Sequence, residues 1–253
     1  MPALLLLLLV LFTSPLRAGQ AADARIEVAS NFAPAIKKLA QDFLTSSGRR
    51  LQLAFGSSGK HYAQIRHGAP FDAFFSADTL RAQRLEEEGR AIPGSRFTYA
   101  IGRLLLWSSD PALIRDDSIL DGDGFRHLAM ANPKLAPYGA AAREFLRASG
   151  RERKLKPRLI FGENIGQTFH FIASGNAELG FIAAAQIQQP GRPRRGSWWP
   201  VPEQSHAPIR QQALLLRDNP AAREFLAFVR SSRGRAIIRA FGYRLPPPPA
   251  HAD

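Results

Sequence analysis

Between Leu51 and Ile65 the chain changes its repeat, and that change limits what it can fold into. Leu51, Leu53 and Phe55 alternate with Gln52 and Ala54, the two-residue period of a strand. Gly56-Ser57-Ser58-Gly59 then turns the chain into a segment in which Tyr62 and Ile65 fall at helical spacing. A strand that runs through small hydroxyl residues into a helix presents the free N–H groups and partial positive charge of the helix start. Such a start accommodates an anion. Two serines add hydroxyl donors, and glycine lets a ligand come close to the backbone. Taken alone, Ser57 or Ser58 need do no more than cap the helix. Recurrence of the same junction elsewhere is what gives it weight.

The junction does recur, because the chain alternates strands and helices. Arg25–Ser30 reads as a strand, and Asn31-Phe-Ala-Pro34 opens a helix reaching Phe43, with Pro34 tolerated in the first turn. Phe71–Phe75 reads as a strand, and Leu80–Glu88 as a helix stopped by Gly89. Ser95–Ser108 reads as an extended crossing, and residues 109–124 as a polar, turn-rich break. A second series follows: strands at Leu128–Ala131, Arg158–Phe161 and Glu178–Ala183, helices from Pro137 and after Asn164, then a loop holding Trp198 and Trp199. Ile209–Leu216 reads as a strong strand, and two helices close the fold. Alternating strands and helices predict an α/β fold with mainly parallel sheets flanked by helices. The polar break and the crossings near 95–108 and 207–216 predict two lobes joined by two hinge strands. The boundaries expected are 25–103 and 209–245 for the first lobe, and 104–208 for the second. In open α/β sheets ligands bind beyond the carboxyl ends of strands. Four comparable junctions fall there: Ser30-Asn31, Ser57-Ser58-Gly59, Pro137-Tyr138-Gly139 and Asn164-Ile165-Gly166. Two in each lobe, facing across a cleft, make a clamp of N–H and hydroxyl donors.

Residues 3–12 are an apolar run too short for a membrane span. The small residues after it predict a secretory signal peptide within residues 1–24, cut between Ala18 and Ala24. The chain has no cysteine, so disulfides, thiol nucleophiles, zinc–thiolate sites and a lipoprotein thioether are excluded. Together these predict an exported protein of a bacterial periplasm or cell surface, the periplasm being the expected location, with no membrane insertion after signal removal; a monomer is expected. The Pro246–Pro249 run predicts a disordered tail over 246–253. The formal charge of +13 is spread along the chain. It forms no basic helix with interleaved aromatics, which argues against a nucleic-acid partner and for attraction of small anions.

Several strings in order resemble the periplasmic molybdate-binding proteins of bacterial ABC importers, in the type II solute-binding class. They are Val28-Ala-Ser-Asn31, Phe55-Gly-Ser-Ser-Gly59, Gly68-Ala-Pro-Phe-Asp-Ala-Phe-Phe-Ser-Ala-Asp78, Ala131-Asn-Pro-Lys-Leu-Ala-Pro-Tyr-Gly-Ala140, Gly162-Glu-Asn-Ile165 and Asn176-Ala-Glu-Leu-Gly-Phe181. The likeness runs from about Arg25 to Tyr243. It implies the two-lobed periplasmic-binding-protein fold, with tetrahedral molybdate or tungstate held in the cleft by neutral donors. Carried over by position, it implies Ser30, Asn31 and Ser58 from the first lobe, with Ser57 and Gly59 secondary. From the second lobe it implies Tyr138 and Ile165, largely through backbone N–H. Where some members place a tyrosine after the Gly-Phe-Ile strand this chain has Ala183, and Tyr138 is the alternative source of a hydroxyl. The resemblance also implies delivery to a membrane permease with its ATPase, with no cofactor and no metal cation.

The residue chemistry agrees with a fully deprotonated oxyanion, since donors alone suffice and Glu163, the nearby carboxylate, suits the first turn of a helix. Sulfate or phosphate remains the alternative ligand. A secreted serine hydrolase is the remaining reading, but Lys60 stands where the nucleophile elbow Gly-x-Ser-x-Gly needs glycine. His61, His67, His127, His170, His206 and His251 lack metal-ligand spacing and are expected in packing or surface roles. Asp78 is expected to cap a helix and Asp72 to bond across the core. Tyr62, Tyr99, Tyr138 and Tyr243 are scattered, unlike the clustered tyrosines of ferric-binding relatives.

Overall fold

The computed structural model describes residues 22–247. The expected signal peptide to residue 21, and the tail from residue 248, lie outside the described residues. The strand after the cleavage region begins at Ala24 and is held there: the Asp23 amide donates to the Arg50 carbonyl at 2.8 Å.

In chain order the elements are β1 (Ala24–Ala29), α1 (Ala33–Ser47), β2 (Leu51–Gly56), α2 (Ser58–Arg66), β3 (Ala73–Ser76), α3 (Leu80–Glu87), β4 (Phe97–Ile101) and β5 (Leu104–Ser108). There follow β6 (Leu128–Ala131), α4 (Pro137–Ala148), α5 (Glu152–Leu155), β7 (Leu159–Gly162), α6 (Ile165–Ala173) and β8 (Leu179–Ala183). The chain closes with β9 (Ser197–Pro200), β10 (Arg210–Leu215), α7 (Pro220–Arg230) and α8 (Ser232–Ala240). Two five-stranded sheets result, ordered β2-β1-β3-β10-β4 and β7-β6-β8-β5-β9. In the first, β10 alone runs against its neighbours; in the second, β5 does. Both sheets are thus mixed and built alike, each with two parallel and two antiparallel pairings and its one reversed strand next to an edge.

Local chemistry fixes the helix ends. Pro34 opens α1, whose interior N–H groups it does not disturb. Gly48 ends it with φ 73°, a left-handed cap that glycine takes without a Cβ clash. Asn219 and Ser231 cap α7 and α8 through the amides of Ala222 and Gly234.

Each sheet has its own core. Phe32 packs on Tyr99 (ring centroids 4.6 Å apart), Tyr243 (5.4 Å) and Phe75 (6.0 Å). Phe225 of α7 lies between Phe43 at 5.3 Å and Phe75 at 5.8 Å, tying the C-terminal helices to the first sheet. In the second, Phe145 meets Phe181 and Trp199 at 5.8 and 5.7 Å. Burying each such ring contributes about 1.5–3 kcal/mol.

Some sequence expectations need correction. Ser95–Ser108 is not one crossing but two strands, β4 and β5, in different sheets, interrupted at Gly102 and Arg103. Leu104–Ser108 belongs to the second sheet, so the crossing itself is only Gly102 and Arg103. The Gly102 amide donates to the Ile209 carbonyl at 2.9 Å, so the two crossings bond to each other. The polar stretch 109–124 does not separate the lobes; it connects β5 and β6 of one sheet. Its polarity reflects a solvent-facing turn, with Asp116 bonding the Ser118 amide. Trp198 and Trp199 lie in β9 rather than a loop, opposite Trp107 and Leu106. No described helix is long and apolar enough to cross a membrane.

Candidate functional site

Four strand ends feed four helix starts, and the structure brings them to one seam between the sheets. At the end of β1, Ser30 and Asn31 form a short 3-10 turn into α1. Ser30 Oγ accepts a hydrogen bond from the Gly166 amide at 3.2 Å, reaching from one lobe to the start of α6 in the other. Asn31 is buried, and its Nδ2 donates to Gln211 Oε1 at 2.7 Å and Tyr243 Oη at 3.1 Å. Its side chain therefore serves a network beside the crossings.

At the end of β2, Ser57 is the cap of α2, its Oγ accepting from the Lys60 amide at 3.3 Å. Ser58 begins the helix and is 1 % exposed. Its Oγ accepts from the Ala77 amide at 2.9 Å, which leaves the hydroxyl proton free to donate. As the first residue of α2, Ser58 has no intrahelical partner for its own N–H. Gly59 is placed differently from a free donor: its amide is taken by the Leu135 carbonyl of the second lobe at 2.9 Å.

From the second lobe, Pro137 and Tyr138 open α4. Gly139 packs so near the end of β6 that a Cβ there would lie 2.1 Å from the Ala131 carbonyl oxygen. That contact presses the helix start onto the strand end. Tyr138 is fully buried, and its Oη lies over Gly102 and accepts from Gln211 Nε2 at 3.2 Å. Its hydroxyl faces the crossings, while its N–H sits at the helix start without an intrahelical partner. Asn164 caps α6 through the Gln167 amide at 3.0 Å, making Ile165 its first residue. Gln186 holds that start from behind: it donates to the Ile165 carbonyl at 3.0 Å and accepts from the Ala183 amide at 2.8 Å.

The charges around the seam are paired. Glu163 does not sit in the first turn expected of it: it precedes the cap Asn164, outside α6, and pairs instead with Lys60 across the seam at 2.9 Å. Arg81 binds the Asp78 carboxylate and donates to the Lys134 carbonyl at 2.9 Å, again from lobe to lobe. Asp78 also accepts from the Arg81 amide at 2.9 Å, the capping role expected of it. Asp72 accepts from the Arg25 amide at the exposed strand edge instead of within the core. Behind α2, the His61 ring faces the Glu27 carboxylate and the Val28 carbonyl oxygen, the latter at 3.2 Å, which is a packing role. Apart from Lys60 and Arg81, each bound to a carboxylate, the donors described at the seam are neutral.

Sequence spacing misled on the tyrosines. Tyr99, Tyr138 and Tyr243 are far apart in the chain yet gather around Asn31 and Gln211. Long-range pairing causes this: β10 inserts between β3 and β4 and carries Gln211 to the centre of the three. Burial pushes all three phenols well above their ordinary pKa, so they remain neutral hydroxyls, the opposite of the phenolates a ferric site requires. Gln211 and Gln186 were invisible in the sequence, since a glutamine inside a strand or a short turn carries no local signature.

The comparisons with known proteins bear on this geometry. Residues 24–244 match the family of bacterial extracellular solute-binding proteins. The chain belongs to that family. Within it, this solute-binding protein is 42 % identical over 232 residues to the molybdate-binding protein ModA of Azotobacter vinelandii, covering 90 % of this chain and 92 % of that one. It is also 42 % identical over 232 residues to ModA of Rhodobacter capsulatus, covering 90 % of each. The solved periplasmic molybdate-binding protein of A. vinelandii superposes with TM-score 0.85 at 41 % identity, covering 88 % of this chain and 99 % of that one. The chain is thus similar to these molybdate-binding proteins in fold as in sequence.

Proposed function

We propose that this protein binds molybdate, and tungstate with it, in the periplasm and delivers it to an ABC importer composed of a permease and its ATPase. The observation that carries the reading is the meeting of four helix starts across one seam, with hydroxyl and backbone amide donors from both lobes. A tetrahedral dianion accepts hydrogen bonds on every side and offers no proton, so a shell of neutral donors suits it. Ser30, Asn31 and Ser58 would hold it from one lobe, and the Tyr138 and Ile165 amides from the other. Helix-start partial charges add to the attraction without requiring a counter-charge. The 42 % identity to two molybdate-binding proteins supports molybdate as the ligand.

Closure follows from the same arrangement. An anion meeting one lobe gains the donors of the second only when the lobes approach, so it stabilises the closed form by its differential affinity. A monomer that closes in this way presents its permease with a surface absent from the open form. The hydrolase reading lacks support at the serines: Ser57 Oγ and Ser58 Oγ bond backbone amides, and among the described residues no histidine nitrogen bonds either.

Calorimetric titration of the mature protein, freed of bound anions, tests the proposal. One-to-one binding of molybdate that persists in excess sulfate is expected. Folded protein that gives no heat with molybdate would overturn it.

A further inference from the structure

The two helix starts that cross the seam are built alike. Phe55-Gly56-Ser57-Ser58-Gly59 and Phe161-Gly162-Glu163-Asn164-Ile165-Gly166 each place a glycine at the second residue of a helix, α2 and α6. Each glycine donates its amide to the opposite lobe, Gly59 to the Leu135 carbonyl at 2.9 Å and Gly166 to Ser30 Oγ at 3.2 Å. Neither has a left-handed φ, so the backbone conformation does not call for glycine. Nor does helix stability, for glycine is poorer than alanine in a helix. What remains is space. A Cβ on Gly59 would stand 3.0 Å from both the Cα and the carbonyl oxygen of Leu135 across the seam and 3.2 Å from the movable Arg81 guanidinium of its own lobe; one on Gly166 would stand 3.3 Å from Ser30 Cβ across the seam and 3.0 Å from the Asn164 cap oxygen of its own lobe.

We propose that Gly59 and Gly166 are specificity-determining residues: bare backbone at these two points lets lobe touch lobe, and the contacts fix how narrow the closed cleft becomes. The proposal rests on the oxyanion-binding reading above. Because the stops are protein against protein, the separation of the two donor sets is decided before any anion enters. A tetrahedral dianion of the matching size reaches both sets. A smaller one leaves the donors of one lobe unsatisfied, since the lobes cannot follow it inward. Unmade hydrogen bonds at buried donors are what discriminate between such ligands. Size selection then belongs to the two contact points rather than to the ligand-touching residues alone.

The test is a methyl group at each stop. Gly59→Ala, Gly166→Ala and the double variant are titrated with molybdate and with sulfate, and melted without ligand. Gly122→Ala, where a Cβ meets nothing nearer than 3.8 Å, is the control. Expected is at least a tenfold loss of molybdate affinity in Gly59→Ala, a smaller loss in Gly166→Ala, and none in the control. The ligand-free melting temperature of Gly59→Ala does not fall, because the backbone its methyl meets belongs to the other lobe, whereas Gly166→Ala, whose methyl also meets the Asn164 cap, is read by the ratio of molybdate to sulfate affinity. Sulfate binding does not rise. Wild-type molybdate affinity in the double variant, a loss in Gly59→Ala matched by lower ligand-free stability, or a gain of sulfate at the expense of molybdate would overturn the proposal. Failure of the unsubstituted protein to bind molybdate would instead strike the functional reading on which it rests.

Discussion

Ser58 does two jobs with one oxygen, and its removal separates them. The lone pair takes the Ala77 amide at 2.9 Å, while the proton is free for a ligand. Ser58→Ala should weaken molybdate binding by about 1.5–3 kcal/mol, the range for a hydrogen bond to a charged group. It should also lower ligand-free stability by about 1–3 kcal/mol, because the buried Ala77 N–H loses its partner. Calorimetry reads the first and thermal melting the second. Tyr138 contrasts with it. The hydroxyl turns toward Gln211 and Gly102, so Tyr138→Phe keeps the amide at the helix start. Its affinity loss should be smaller than that of Ser58→Ala, with about 1 kcal/mol of stability lost for the hydrogen bond from Gln211. Titrating both variants side by side decides the order.

Elements are held by a few identifiable contacts, and two can be tested. Phe225 of α7 is fully buried between Phe43 and Phe75. Phe225→Ala should cost about 3–5 kcal/mol, read as a lower urea midpoint. Asp42 of α1 is held by Lys38 on its own helix and by Arg233 of α8. The Lys38 hydrogen bond, with a further share from Arg233, draws the carboxyl below its ordinary value of 3.8 against the opposing effect of burial. A depressed folded pKa gives stability that is present above 3.8 and fades as the pH falls through the lower folded value. Asp42→Asn should therefore remove about 1.5 kcal/mol at neutral pH and flatten the acid limb of a stability-against-pH curve. The elements were largely legible in the sequence, because Ser57, Asn164, Gly48 and Pro34 mark helix ends by local rules. Strands were less so. Trp198 and Trp199 pair with β5 through contacts ninety residues distant in the chain, and aromatic pairs in a short run look alike in loop and strand.

For the whole molecule, alternation of strands and helices gave the two-lobed plan, and four recurring junctions gave the seam. The hub residue Gln211 was hidden, because the register that carries it to Asn31, Tyr99 and Tyr138 is set by β10 pairing antiparallel to both β3 and β4. That pairing also dictates an order of events. The second sheet draws all its strands from one continuous stretch, Leu104 to Pro200, whereas the first lacks β10 until Arg210 to Leu215 are available. A chain emerging N-terminus first can finish its second lobe while its first still has a gap between β3 and β4. Hydrogen exchange on a chain that ends before Arg210 should find Leu128–Ala131 protected and Ala73–Ser76 unprotected; the reverse would contradict this. The last strand delivered is thus the keystone of the first lobe, and a chain truncated before Arg210 should leave that lobe open to proteolysis, so that binding competence should arrive only with the C-terminal segment.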